Sequence, residues 1–517
     1  MANPARQSSA LLPSQRNHAV PPRPDTGGHL LPALPSRPAL PSFLERPAAR
    51  WARGCLIAVN LAAVTFFLLS YSRHGVSFGP YRIDLDVYRI GSAAWLHGGG
   101  LYGVLPPTSS GARLPFSYPP IAAVLLAPLA LVPMPVAVTT LTLATVALTA
   151  FVLRVFLCSL SGTPARSRAP AAPPRLPAAS GLLAAPAAVG SPLPVASGPV
   201  TFGWAVLWLL PATLFLEPVR NTLGYGQVNV ALMALVAGDC LLPAPRWRRG
   251  ALVGIAAAVK LTPAAFVLFF LLRRDWRAAG LAAASFGACA GIGFLLAWHD
   301  SVEYWTSVIF QASRPGSPAY AANQSIQGVL ARAGLDPHAP AGAATWLLLS
   351  AVVVVLACLG MRRALAASAD AWALSLNAFA CLLISPISWS HHWVWGETAV
   401  LTLAILGWRG LAADRRRDRA VPTWPGRAGG RRDRGDRPHW TGCPGGAGLM
   451  PGRVGLAVAA AGAVMFAVSP QWWLPNGGSR ELHWAAWEQV AGSSYVIFAT
   501  AVLVAAACWP RRRPDQL

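Results

Sequence analysis

The sequence predicts an all-α, polytopic membrane protein, and three observations carry that prediction. Hydrophobic residues make up 54% of the 517 positions and charged residues only 12%, where a soluble domain carries roughly 25% charged residues. Apolar runs recur along the chain, close to the roughly 20 residues that cross a hydrocarbon core of about 30 Å. The arginines sit in clusters between those runs, at 246–249, 273–277, 362–363, 409–437 and 511–513. Positive residues retained on the cytoplasmic side leave this pattern. The same placement argues against nucleic acid as the partner behind a net charge of +23, because no helix face carries a basic stripe. Lipid headgroups are a compatible minor partner.

The elements follow in order. Residues 1–53 form a Pro- and Arg-rich tail, expected to be disordered and cytoplasmic, with no cleavable signal before the first span. Residues 54–410 form the membrane-embedded core, 411–452 an Arg/Gly-rich cytoplasmic loop, 453–509 the last spans and 510–517 a basic tail. Clear apolar runs lie at 56–69, 136–157, 278–298, 344–359, 371–384, 399–408, 454–468 and 490–508. Ten to thirteen spans are expected, with no soluble catalytic domain.

Counting charges inward from both ends puts the polar loops at 73–117, 299–343, 386–392 and 470–489 on one outer face. The run 251–272 is flanked by basic clusters on both sides and interrupted by Pro263. A single crossing would put one cluster outside, so a broken hairpin is expected there, both halves starting from the cytoplasmic side. The number of spans between 118 and 217 stays open, because the Pro/Ala-rich stretch 161–198 reads equally as a loop or as one poor span. Eight scattered cysteines without a CxxC pair read as small core hydrophobes.

Few residues are equipped for chemistry. Lys260 is the only lysine among 42 basic residues and lies inside an apolar run; an ionisable group at membrane depth is a functional candidate. Asp84 and Asp86 open an amphipathic segment beside Tyr81, Arg82, Tyr88 and Arg89. They read as solvated loop acids or as an Asp-x-Asp metal pair lacking an evident third ligand. Arg220 offers a planar fork for phosphate oxygens, and Gln227 and Asn229 can bond sugar hydroxyls or cap helices. Asn323, Gln324 and Arg332 stand out in one outer loop, and Trp389, His391, His392, Trp393 and Trp395 in another. The tryptophans suit either a membrane-interface belt or a sugar platform. No phosphate loop, nucleotide fingerprint or Ser-His-Asp arrangement occurs in a fitting context, so the energy for a transfer must arrive in the substrate.

Six segments follow one another in an order that resembles a known family. They are Asp-Leu-Asp-Val-Tyr (84–88), Leu-Pro-Phe-Ser-Tyr-Pro-Pro (114–120), Glu-Pro-Val-Arg through Gly-Gln-Val-Asn (217–229), Ala-Val-Lys-Leu-Thr-Pro (258–263), Asn-Gln-Ser-Ile-Gln-Gly (323–328) and Ser-Pro-Ile-Ser-Trp-Ser-His-His-Trp (385–393). Together they look like glycosyltransferase family 87, the actinobacterial polyprenyl-phosphate-mannose-dependent α-(1→2)-mannosyltransferases, over residues 55 to 410. The resemblance implies a GT-C type membrane fold and an inverting, metal-independent transfer on the outer face of the plasma membrane. It implies a polyprenyl-phosphate mannose donor, a glycolipid or oligomannoside acceptor and no cofactor. Asp84 would be the general base and Asp86 a variable position. His391 or His392 would lie near donor or acceptor, and Arg220 and Lys260 are phosphate candidates by inference. A transporter or flippase for a lipid or sugar is the alternative from another class, and a pentose-carrier transferase the alternative within this one.

Overall fold

The computed structural model describes residues 50–69, 81–161, 201–311, 313–420 and 452–508, the side chains of 201 and 416–420 excepted. The tail before 50, the insert from 162 to 200, most of the Arg-rich loop and the basic C-terminal tail lie outside the described residues. Regular structure among the described residues is helical, with one isolated antiparallel bridge between Asn323 and Trp389.

The first helices are α1 (Arg50–Leu69), α2 (Ile83–Leu96), α3 (Pro120–Ala130) and α4 (Met134–Ser161). Helices α5 (Thr201–Phe215) and α6 (Glu217–Tyr225) follow, bent by 72° from each other. The bend has a local cause. Leu216 is extended (φ −61°, ψ 136°), and Pro218 in the first turn of α6 has no amide with which to continue the ladder of α5. Next come α7 (Asn229–Leu241), α8 (Ala251–Val259), a 3-10 turn over Thr262–Phe266, α9 (Val267–Leu272) and α10 (Trp276–Leu296). Helices α11 (Trp298–Thr306) and α12 (Ile326–Arg332) follow. Helices α13 (Pro340–Ala366), α14 (Asp370–Ile384), α15 (Trp395–Ala420), α16 (Gly452–Val468), α17 (Ala486–Gly492) and α18 (Ser494–Cys508) complete the chain.

Among the described residues, five helices (α1, α4, α10, α13 and α16) are long and apolar enough to cross a membrane, and seven spans result if the bent pairs α5–α6 and α17–α18 each count as one. Four shorter apolar stretches also lie among the described residues, so five to seven spans stand against the expected ten to thirteen. Two expected boundaries move. The run 490–508 is broken between α17 and α18 by a 69° bend. Helix α15 continues past 410 to Ala420, because 411–420 holds only Ala, Leu, Arg and Asp, with no Gly or Pro to stop it.

Chain direction brings the functional segments together. Helices α1 and α5 run parallel: Arg53 lies over the Trp204 ring, Asn60 donates to the Leu207 carbonyl at 2.9 Å, and Phe66 and Phe67 meet Phe215. Helices α7 and α8 run antiparallel. Asp239, near the end of α7, accepts from the Gly250 and Val253 amides at 3.0 Å and caps α8. At the opposite end, Asn229 accepts from Lys260 at 3.0 Å.

Helices α8 and α10 are parallel and their backbones nearly touch. A β-carbon on Gly250 would stand 2.0 Å from the Ala278 carbonyl oxygen, and one on Gly254 2.2 Å from that of Ala282. Two parallel helices joined through 260–275 require the chain to return between them. The stretch 260–272 therefore doubles back, and the basic clusters at 246–249 and 273–277 share one end, as the charge pattern predicts. Helix α8 rises about 14 Å at 1.5 Å per residue, and Lys260 stands at its tip. Helix α14, buried from Ala371 to Leu383, climbs beside the 262–272 stretch from the Arg273–Asp370 ion pair (2.6 Å) toward the loop that carries His391 and His392.

Candidate active site

The N-terminal ends of α2 and α7, the tip of α8 and the turn before α15 meet around one polar cleft. Helix α2 begins after an extended Arg82 (φ −135°, ψ 110°) that offers no side-chain cap, so Asp84 is not the cap of its helix. Residues two apart on a helix point about 200° away from each other, and the two aspartates part accordingly. Asp84 faces the cleft, its Oδ2 accepting from Gln227 Nε2 at 2.8 Å. Asp86 is buried, its Oδ2 accepting from the Ser109 amide at 2.7 Å and from the Tyr81 hydroxyl at 3.1 Å. It pins the first loop.

Gln227 reaches Asp84 because α6 ends in a left-handed glycine. Gly226 has φ +75°, and a β-carbon there would stand 2.8 Å from the β-carbons of both Arg82 and Leu85. Only glycine meets both demands without strain. The amide of Gln227 is oriented from its other side by Tyr88 and Tyr118, whose hydroxyls donate to Oε1 at 2.6 and 3.2 Å and lie 3.0 Å apart.

Lys260 Nζ donates to Asn229 Oδ1 and to His392 Nε2, each at 3.0 Å, and sits 5.6 Å from the Tyr118 ring centroid. An ammonium has three N–H groups, so one remains for a ligand. The His391 carbonyl accepts from Asn229 Nδ2 and Thr222 Oγ1, both at 2.9 Å, which fixes the turn that presents His392. The His391 ring packs edge-on against Tyr225 at 5.1 Å.

Burial pushes the Asp84 carboxyl up to about 6, opposed by the Gln227 hydrogen bond and the Lys260 charge. A carboxyl so tuned titrates where a general base works best. Burial also pushes both imidazoles well below their ordinary value, with the Lys260 charge adding to the effect. An ammonium at Lys260 can only donate, so Nε2 of His392 is the acceptor in the bond between them. Beside Lys260 a cavity is polar where Asn229 and His392 line it and apolar along Met233, Phe266 and Leu382. Among the described residues no group of three or more His, Cys, Asp or Glu side chains is arranged to hold a metal ion.

The structure thus gathers Asp84, Gln227, Asn229, Lys260 and His392. Arg220 is exposed on α6 and outside this network. Asn323 is consumed by the loop opposite, donating to the Pro318 and Pro386 carbonyls and accepting from the Ser388 amide. Gln324 Nε2 donates to the Ala321 and Gly492 carbonyls. The Asn323 amide holds the 385–392 loop in shape, and that of Gln324 ties its own loop to the end of α17. Trp389 packs on Tyr320 at 6.0 Å in the same framework. Tyr88 and Tyr118 were missed as site residues. Tyr88 lies four residues after Asp84, a spacing that shares a helix face and could have found it; Tyr118 lies in the 114–120 segment, whose place among the six was its signal.

A family model for glycosyltransferase family 87 matches residues 116–386. A polyprenol-phosphate-mannose-dependent alpha-(1-2)-phosphatidylinositol mannoside mannosyltransferase of Mycobacterium tuberculosis is 38% identical over 429 residues, 83% of this chain and 84% of the relative. The protein of the same name in Mycolicibacterium smegmatis is 35% identical over 482 residues, 89% of this chain and 93% of its own. A polyprenol-phosphate-mannose-dependent alpha-(1-2)-phosphatidylinositol pentamannoside mannosyltransferase of Mycobacterium tuberculosis is 32% identical over 368 residues, 70% of this chain and 74% of its own. No solved structure matches the chain.

Proposed function

The chain belongs to glycosyltransferase family 87, and from that premise we propose that it transfers mannose from polyprenyl-phosphate mannose to a glycolipid. It acts as an α-(1→2)-mannosyltransferase on the outer face of the plasma membrane. The relatives' names point to a phosphatidylinositol mannoside as the acceptor class. A transporter shares the span pattern, but the family is one of transferases.

The observation that carries the reading is a carboxylate and an ammonium facing one cleft, linked through Gln227 and Tyr118. In the proposed step Asp84 takes the proton of the acceptor hydroxyl as its oxygen attacks the anomeric carbon. The bond from that carbon to the carrier phosphate breaks, its electron pair leaving on the phosphate oxygen and the sugar inverting. The negative charge lost at Asp84 reappears on the phosphate. There the free N–H of Lys260 stabilises it in a site of low dielectric, and the apolar wall of the cavity suits the first units of the polyprenyl chain. The outer-face assignment rests on the two charge counts, which put the Asp84 and His391 loops on the same side.

Purified protein in liposomes, given polyprenyl-phosphate mannose and a phosphatidylinositol mannoside, should form product without nucleotide and in the presence of EDTA. A strict requirement for a nucleotide sugar would overturn the donor. Complete loss in EDTA would return the Asp-x-Asp pair to a metal role.

A further inference from the structure

A second buried polar cluster lies behind the cleft. Glu217, at the start of α6, has no exposed surface. Burying a carboxylate is costly unless its oxygens are bonded, and here three neutral donors reach them. Asn221 Nδ2 lies at 2.6 Å and Trp472 Nε1 at 2.7 Å from Oε1, and the Tyr495 hydroxyl at 2.9 Å from Oε2. Ser390 adjoins the same carboxylate. Trp472 lies in the 3-10 turn Pro470–Trp472 after α16, and Tyr495 opens α18; both fall beyond the 116–386 stretch that the family model matches.

With both oxygens engaged and no surface exposed, Glu217 is unavailable to a substrate. It acts through what it holds. One helical turn and a half further on, Thr222 supports the His391 carbonyl, and Ser390 begins the turn that carries His392 to Lys260. We propose that Glu217 is a positioning residue for donor binding, through which the C-terminal helices complete the cleft. The inference rests on the functional reading above.

Kinetics of the full-length protein test it. Glu217→Gln keeps the shape but turns one hydrogen-bond acceptor into a donor. Trp472→Phe and Tyr495→Phe each remove one donor at a distance from the cleft. In Glu217→Gln the donor KM should rise on the order of tenfold, as displaced positioning groups do, with the acceptor KM unchanged and the melting temperature kept. The two aromatic variants should move the donor KM the same way by less. Trp472→Phe added to Glu217→Gln should cost nothing more, since both act through one bond. A donor KM in Glu217→Gln within twofold of wild type overturns the inference alone. So does a loss that tracks the melting temperature in all three variants, which is what a merely structural role gives. If the wild-type protein shows no transfer from the carrier, the functional reading has failed and the inference falls with it.

Discussion

Asp84 and Asp86 differ by two positions and by everything around them. Asp84→Asn keeps an oxygen for Gln227 but cannot take a proton, so turnover should fall on the order of 10²–10⁴-fold with folding intact. Asp86→Asn keeps an acceptor for the Ser109 amide and should stay within a few-fold of wild type. The reverse order, measured on purified variants, would exchange their roles. The base must be ionised to act, and its pKa is raised to about 6. Log kcat/KM should therefore be flat above that value and fall as the pH drops through it. Gln227→Leu removes a hydrogen bond that favours the ionised form, so the acid limb should move to higher pH. A wild-type limb near pH 4, the value of a solvated carboxyl, would show that burial does not tune this group. The sequence singled out Asp84, Gln227, Asn229, Lys260 and His392 because acids, amides and the one lysine are scarce in apolar surroundings. It singled out Asn323 and Gln324 by the same signal, and both side chains are bonded to loop backbone; a buried amide that holds a loop and one that meets a sugar are the same residue until the loop is folded.

Two elements carry the geometry that residue type alone does not report. The first is the α6–Gly226–α7 corner. Gly226→Ala puts a β-carbon against Arg82 and Leu85 and adds roughly 1–2 kcal/mol of left-handed strain. It should separate Gln227 from Asp84 and lower turnover. Gly226→Asn, which tolerates the dihedral angle but not the crowding, should rescue nothing; recovery in Asn would mean that φ alone matters there. The second element is the α8 return. It was legible because charge retention acts on chain segments, and two basic clusters around one short apolar run leave only a hairpin. The 69° break between α17 and α18 was not legible. Residues 490–508 are apolar apart from Ser493, Ser494, Tyr495 and Thr500, and hydropathy reports the transfer of side chains, not the direction of the chain.

At the scale of the whole molecule, the charge pattern predicts which loops share a side, and single cysteines in a cysteine-free background test it. Positions near Asp84 and near His391 should react with an impermeant thiol reagent from outside, and positions 248 and 274, at the two feet of the hairpin, from the cytoplasmic side only. Asp84 and His391 labelled from opposite sides would dismantle the outer-face model; labelling of 248 and 274 from opposite sides would make 251–272 a true crossing. The arginine excess has one more consequence. Every basic side chain but one is a guanidinium, and the single ammonium stands at the tip of α8 in the cleft. Amine-selective reagents, which pass over arginine, find one internal target besides the chain terminus. Reductive methylation read by mass spectrometry should modify Lys260 more slowly when polyprenyl phosphate is bound, and equal rates would put the phosphate elsewhere. The wild-type chain carries its own occupancy probe at the point where the donor is expected to sit.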